Sequence, residues 1–195
     1  MVAISGGSTS TSCPITITAN SLPVSNLTIE PDNSICAGTT ATLTANTFGV
    51  APFNYQWNVD GNPIFGANAS TYSATIGGDY TIKVTDANGC ESTSSSSSLS
   101  VNTLPAKPTS ISGATIVIQG NSEVYSITPV NGASSYTWTL PDGWTGTSIT
   151  NSITAIIGAN AGTISVAANS NGCSSPVQTL VVGMGNLTDD AATAY

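Results

Sequence analysis

The chain of 195 residues carries ten acidic residues and two basic ones, both lysines, and it contains neither histidine nor arginine. A net charge of −8 without arginine removes the counterion release that drives binding to a phosphate backbone, and no basic cluster is present to attract an anionic membrane surface. We therefore expect no nucleic-acid partner, and no membrane insertion either, because no apolar run approaches the length of a transmembrane helix.

Short segments with alternating apolar and polar side chains follow each other along the chain, which is the period of a half-buried strand. In chain order the clearest lie at 41–45, 80–84, 136–140 and 163–166. They are rich in Thr, Val, Ile and Tyr, the residues that favour strands, and Asn-Gly or Asp-Gly turn signals lie between them. No segment has a helical apolar stripe. About seven short strands in each repeated unit predict an all-β fold of β-sandwiches.

Two motifs occur twice, at a period near eighty residues that is typical of tandem domains. Tyr-x-Trp stands at 55–57 and 136–138, and Asn-Gly-Cys stands at 88–90 and 171–173. A proline-bearing junction at 102–108 separates the two units, and the start of this junction has a copy at 20–23. We predict domains at 25–104 and 105–183, preceded at 1–24 by the last strand of an earlier repeat with its linker, and followed at 184–195 by a linker or tail.

The composition also disfavours catalysis. Activation of a nucleophile needs a neighbouring base, and without histidine only carboxylates and two lysines remain. The acidic residues are scattered over predicted loops, whereas a glycosidase needs a carboxylate pair in one cleft. We predict that the protein is not an enzyme and binds no cofactor.

A family resemblance follows from the order of the motifs. Cys36-Ala37-Gly38, the Tyr-x-Trp motif at 55–57 and the Asn-Gly-Cys motif at 88–90 together resemble the immunoglobulin-like repeats of large secreted surface proteins in the Bacteroidetes, including gliding-type adhesins and type IX secretion cargo. The second unit, with Pro-Asp-Gly-Trp at 141–144, resembles the PKD-like domain often found beside them. The resemblance implies tandem immunoglobulin-like sandwiches, an extracellular or cell-surface location and a role as spacer or adhesive stalk.

The four cysteines depart from the family pattern, because the second unit has Ile118 where the first has Cys36. Cys173 therefore lacks the partner that the pattern would supply. Four cysteines allow three pairings, of which we favour Cys36 with Cys90, although the two turns lie at opposite ends of a simple sandwich. In that case Cys13 and Cys173 are free thiols, join neighbouring modules, or are left over at fragment boundaries.

Two further features are candidate sites. Trp144 follows a tight turn, and if exposed it would stack on a sugar ring; the alternative is that it covers one end of the sandwich. Asp86, Asn88 and Glu91 crowd one turn with the oxygen ligands that Ca²⁺ takes, but the same residues are ordinary turn formers. We expect no metal site there. Trp57 and Trp138 occupy the position of the core tryptophan of an immunoglobulin sandwich.

We predict a non-catalytic spacer or adhesin segment, with other repeats of the same polypeptide as its partners. A second hypothesis is a carbohydrate-binding module that uses Trp144 to bind surface glycans. A third is a filament subunit, in which the strand that begins near Cys13 completes a sandwich in a self-assembling neighbour.

Overall fold

The strands of the protein form two sandwiches that follow each other in sequence. The computed structural model describes residues 19–185, so the predicted remnant strand near Cys13 and most of the predicted tail lie outside the described residues. Nothing in residues 19–185 forms a helix of the length and hydrophobicity that a membrane span requires. The predicted all-β fold is confirmed.

The first unit, called module 1 below, contains nine strands, several of them short. They are β1 Val24–Glu30, β2 Ser34–Cys36, β3 Ala41–Phe48, β4 Asn54–Val59, β5 Asn62–Pro63, β6 Thr71–Ala74, β7 Gly78–Thr85, β8 Glu91–Thr93 and β9 Ser97–Asn102. One sheet has the order β1-β3-β6, and the other has the order β2-β9-β7-β4-β5 with β8 added beside β7.

The second unit, module 2, repeats most of this arrangement with seven strands. They are β10 Ile116–Val117, β11 Ser122–Ser126, β12 Ser135–Thr139, β13 Ser152–Ile156, β14 Gly162–Ser170, β15 Cys173–Ser174 and β16 Gln178–Met184. Strands β11 and β13 form one sheet, and the other has the order β10-β16-β14-β12 with β15 added beside β14. The first short strand lies parallel to the last strand in both modules, β2 beside β9 and β10 beside β16.

Each module has a hydrophobic core of its own. In β7 the side chains of Tyr80, Ile82 and Val84 are buried, while Lys83 between them is exposed, as the alternating pattern predicts. The core of module 1 is centred on Trp57, which is fully buried. The core of module 2 draws only on residues from Ile111 onward. The two units are therefore separate sandwiches and not one merged core.

Trp57 and Trp138 occupy matching places on β4 and β12, and each indole Nε1 donates a hydrogen bond to a carbonyl twelve residues further on. The acceptors are the carbonyl of Ala69 for Trp57 and that of Thr150 for Trp138, both at 2.9 Å. Trp57 is buried as predicted, whereas Trp138 is half-buried and packs against the edge of its core.

Candidate functional site at the module junction

A disulfide bond joins the two modules. The sulfurs of Cys36 and Cys173 lie 2.03 Å apart, with a Cα–Cα distance of 5.7 Å, and the two residues are separated by 137 positions in sequence. Cys36 is the last residue of β2 in module 1, and Cys173 is the first residue of β15 in module 2. The bond therefore spans the junction between the sandwiches.

The favoured pairing of Cys36 with Cys90 is wrong, and Cys90 forms no disulfide within residues 19–185. Its position in the sandwich explains why. Cys36 is the neighbour of Asn102, the last residue of β9, in the β-sheet. Cys90 comes directly before β8, at the opposite end of the module. The length of β8 and β9 separates them, on the order of 30 Å at strand spacing. A disulfide requires Cα atoms within about 7 Å, so Cys36 reaches the next module instead.

A tight turn presents Cys173 to module 1. Asn171 and Gly172 both have positive φ, 49° and 76°, and Ser170 pairs directly with Cys173 across the turn. This is the two-residue turn that Asn-Gly favours, because its twist matches that of the flanking strands. The side chain of Cys173 is 1% exposed. The turn thus holds the sulfur in a fixed direction at the end of module 2.

Asn102 adds a polar contact beside the disulfide. Its side-chain Nδ2 donates to the backbone carbonyl of Asn171 at 3.2 Å and to the hydroxyl of Ser34 at 2.9 Å. The hydroxyl is part of module 1 and the carbonyl is part of module 2, so the amide bridges the junction. Because neither contact involves a charged group, salt is not expected to loosen it. The sequence alone does not mark Asn102 as a functional residue; its place at the start of the predicted junction is the signal that points to it.

Trp144 is not an exposed ligand platform, so the sugar-stacking hypothesis is wrong. The side chain is 7% exposed, and its ring lies 6.4 Å from that of Tyr125 in the core of module 2. Its Nε1 donates a hydrogen bond of 2.9 Å to the carbonyl of Asn160. Backbone also covers it closely, because a Cβ added at Gly158 would lie 2.9 Å from the Trp144 ring. No face of the indole is free for a sugar.

The weak calcium candidates do not converge on one point. Asp86 is buried, and its Oδ1 accepts hydrogen bonds from the backbone amides of Asn88 and Cys90, both at 2.9 Å. Glu91 instead pairs with Lys83, at 2.8 Å between Nζ and Oε2. The hydrogen bond from Lys83 is the main reason that the pKa of Glu91 lies below its usual value. Within residues 19–185, no group of three or more cysteine or acidic side chains is placed to hold a metal ion.

An open hollow of about 380 Å³ lies beside the β5–β6 connection, lined in part by Phe65 and Tyr72. The ring of Phe65 is fully exposed. Its polar lining consists of the uncharged side chains of Asn68, Thr71, Tyr72 and Ser73, without an acidic or basic residue, and the hollow is open to solvent, unlike the enclosed clefts of typical ligand sites.

The observed fold and the comparison with known protein families agree on immunoglobulin-like and PKD-like β-sandwich domains. The two units are β-sandwiches of immunoglobulin-like topology, and residues 104–182 match the model of the PKD-like domain family. No curated protein sequence matches the chain.

Several solved structures are similar in fold. An I-band fragment from titin has 16% identity and a TM-score of 0.49, and the match covers 85% of this chain but 66% of the fragment. Fibronectin(III)-like modules of CbhA from Clostridium thermocellum have 14% identity and a TM-score of 0.49, with coverage of 83% and 96%. Murine CEACAM1b has 17% identity and a TM-score of 0.39, with coverage of 82% and 100%.

Proposed function

We propose that the protein is a non-catalytic spacer or adhesin segment of an extracellular or cell-surface multidomain protein. The observation that carries the proposal is the Cys36–Cys173 bond, which fixes one sandwich to the next. A spacer needs such a joint, because a flexible linker alone lets neighbouring modules take many orientations. Its partners in this role are the other repeats of the same polypeptide.

The disulfide also limits how far the segment can be stretched. Tension between the two ends of the chain enters module 1 through β1 and β2, crosses from Cys36 to Cys173 and leaves through β15 and β16. While the bond is intact, the chain between the cysteines cannot be drawn out to its extended length. At ~3.3–3.6 Å per extended residue, the separation of 137 positions withholds roughly 450–490 Å of chain. The bond therefore limits the extension of the segment even when both modules are unfolded.

An extracellular location is supported by the same bond, because disulfides persist in oxidising compartments and are rare in the cytosol. It is supported further by the motifs, which resemble repeats of secreted Bacteroidetes surface proteins, including type IX secretion cargo. The PKD-like match of module 2 agrees with this class.

Single-molecule stretching of the full chain, held by a tag at each end, tests the proposal. We expect the native chain to gain little length when it unfolds, since the loop between Cys36 and Cys173 stays closed. The variant Cys36→Ser/Cys173→Ser is expected to release the additional length of roughly 450–490 Å that the separation of 137 residues represents.

Cys90→Ser is the matched control, because it removes a cysteine outside the junction, and it should behave like the native chain. A native chain that releases its full length under non-reducing conditions would contradict the proposed role.

A further inference from the structure

We infer that the opposite end of module 1 is a second joint, which accepts another immunoglobulin-like module and is closed by a disulfide to Cys90. The inference rests on the proposed function, because it extends the same kind of link in the other direction along an array. It names the partner by its chemistry: a sandwich with a cysteine where module 1 has Cys36.

The first observation is that Cys90 and Cys173 hold the same place in their sandwiches. Cys90 follows the turn after β7, where the amide of Asp86 donates to its carbonyl at 2.9 Å. Cys173 follows the turn after β14 and pairs with Ser170. Both turns end in Asn-Gly-Cys, although the turn in module 1 is one residue longer. Cys173 is bonded to the preceding module, while Cys90 is half-buried and has no disulfide partner in the described part of the chain.

The second observation is a buried polar atom without a partner at the same turn. Asp86 is 3% exposed, and its Oδ2 accepts no hydrogen bond from the described residues. A buried carboxylate oxygen without a donor is costly, and native proteins rarely leave one. Because Oδ2 has almost no exposed surface, a module seated on this turn removes that cost by shifting the turn and bringing a donor to the oxygen. At the existing joint the amide of Asn102 provides such a donor to the turn of module 2.

The third observation is an apolar patch at this end of module 1, formed by Leu22, Val24, Phe48 and Val50. Each side chain is about half exposed or more, from 48% for Val50 to 66% for Phe48. Val24 and Phe48 are direct neighbours across β1 and β3, and the carbonyl of Val50 accepts the amide of Ala87 from the turn that precedes Cys90. The patch and Cys90 therefore belong to one end of the module.

The chain that enters module 1 also matches the chain that enters module 2. Asn-Ser-Leu-Pro at 20–23 corresponds to Asn-Thr-Leu-Pro at 102–105. Cys173 follows the Asn of its junction by 71 residues (102 to 173), and Cys90 follows the Asn of its own by 70 (20 to 90). A module attached ahead of residue 20 would thus be separated from Cys90 by nearly the same number of residues as module 1 is from Cys173.

The same logic fixes the identity of the partner. The link needs a cysteine at the end of the first short strand, as in Cys36. Module 2 has Ile118 at that point and cannot provide it. The occupant is therefore a module of the type of module 1, joined head to tail.

The chemistry of the new link is thiol–disulfide exchange. The Cys90 thiolate attacks a low-molecular-weight disulfide, such as oxidised glutathione, and one thiol is released. The thiolate of the partner cysteine then attacks the mixed disulfide and releases the second thiol. Two protein thiols are oxidised to one disulfide, and one small disulfide is reduced to two thiols.

The test extends the full chain by one module. Residues 19–101 are duplicated and placed directly ahead of Asn20, in place of residues 1–19, so that Asn20 takes the position that Asn102 has at the existing joint. Substitutions leave two cysteines, Cys36 of the added copy and Cys90 of the original module 1. After equilibration with a glutathione redox buffer, we expect intact mass and thiol titration to show one intramolecular disulfide. Cys36→Ile in the added copy, which imitates Ile118, should leave Cys90 reduced.

A parallel sample keeps the inference distinct from the proposed function. The original chain with Cys13→Ser and Cys90→Ser retains only Cys36 and Cys173 and should form its disulfide under the same conditions. If it does while Cys90 in the extended chain stays reduced or pairs only between molecules, the second joint is refuted and the proposed function stands. If Cys36 and Cys173 do not pair either, both fail. A Cys13–Cys90 bond in the native chain, found by non-reducing peptide mapping, would also refute the second joint.

Discussion

The indole of Trp144 anchors the core of module 2 through its packing against Tyr125 and its hydrogen bond to Asn160. Its removal leaves a cavity that the surrounding sheets cannot close, so Trp144→Ala should cost about 3–5 kcal/mol of unfolding free energy. Chemical denaturation followed by circular dichroism measures this loss. Phe65→Ala is the matched control, since that ring is fully exposed and its removal should change the midpoint little. Equal effects of the two substitutions would contradict the burial of Trp144.

Asp86 orders the turn before Cys90 through its two hydrogen bonds to backbone amides. Asp86→Ala removes the acceptor and should cost about 1–3 kcal/mol of unfolding free energy. Asp86→Asn keeps an oxygen that can accept the same bonds and replaces the partnerless Oδ2 with an uncharged amide group, which costs less to bury than a carboxylate, so it should be much milder. Thermal melts of the two variants against the native chain check this order, and a greater loss for Asn than for Ala would refute the assigned role.

At the scale of strands, two buried tyrosines couple stability to alkaline pH. The pKa values of Tyr80 and Tyr125 are raised, chiefly because burial disfavours the phenolate. The folded state thus keeps these protons at a pH where the unfolded chain releases them. Stability is full below the unfolded pKa of about 10 and falls as the pH rises above it.

Ultraviolet absorbance of tyrosinate, recorded against pH, measures this effect. Tyr80 and Tyr125 should titrate above a pH of about 10, together with the loss of the β-sheet circular dichroism signal. Tyr80→Phe removes one of the late groups and should reduce the late amplitude. A single titration of all tyrosines near pH 10 with the sheets intact would contradict the prediction.

The strands were largely predictable because their side chains alternate and their turns carry residues suited to positive φ. At Asp60-Gly61 and Asn171-Gly172 both residues have positive φ, as the turn signal implies. The short strands β2 and β10 were not predictable, since two or three residues give no period. They matter nonetheless, because the parallel pairing of β2 with β9 places Cys36 beside Asn102.

The arrangement of the whole molecule was predictable in its number of modules but not in its joint. Repeated motifs reveal two sandwiches. The turns that carry Cys36 and Cys90 are expected at opposite ends of one sandwich, which is a reason to doubt a bond between them. Composition could not reveal that Cys173 faces the preceding module, because that depends on how the chain between β9 and β10 orients the sandwiches. The burial of Trp144 likewise depends on a segment further along the chain, because the backbone at Gly158 packs closely against its ring.

The joint itself leads to a prediction about orientation. Apart from the disulfide, a hydrogen bond from Asn102 to Asn171 crosses it, and such a bond contributes about 1 kcal/mol. That energy cannot hold two modules in one orientation against the freedom of a linker. The variant Cys36→Ser/Cys173→Ser should therefore let them reorient, and residual dipolar couplings should then require a separate alignment tensor for each module. The native chain and Cys90→Ser should fit one tensor. If the double variant also fits one tensor, the rigidity of the segment comes from the chain between the modules and not from the disulfide.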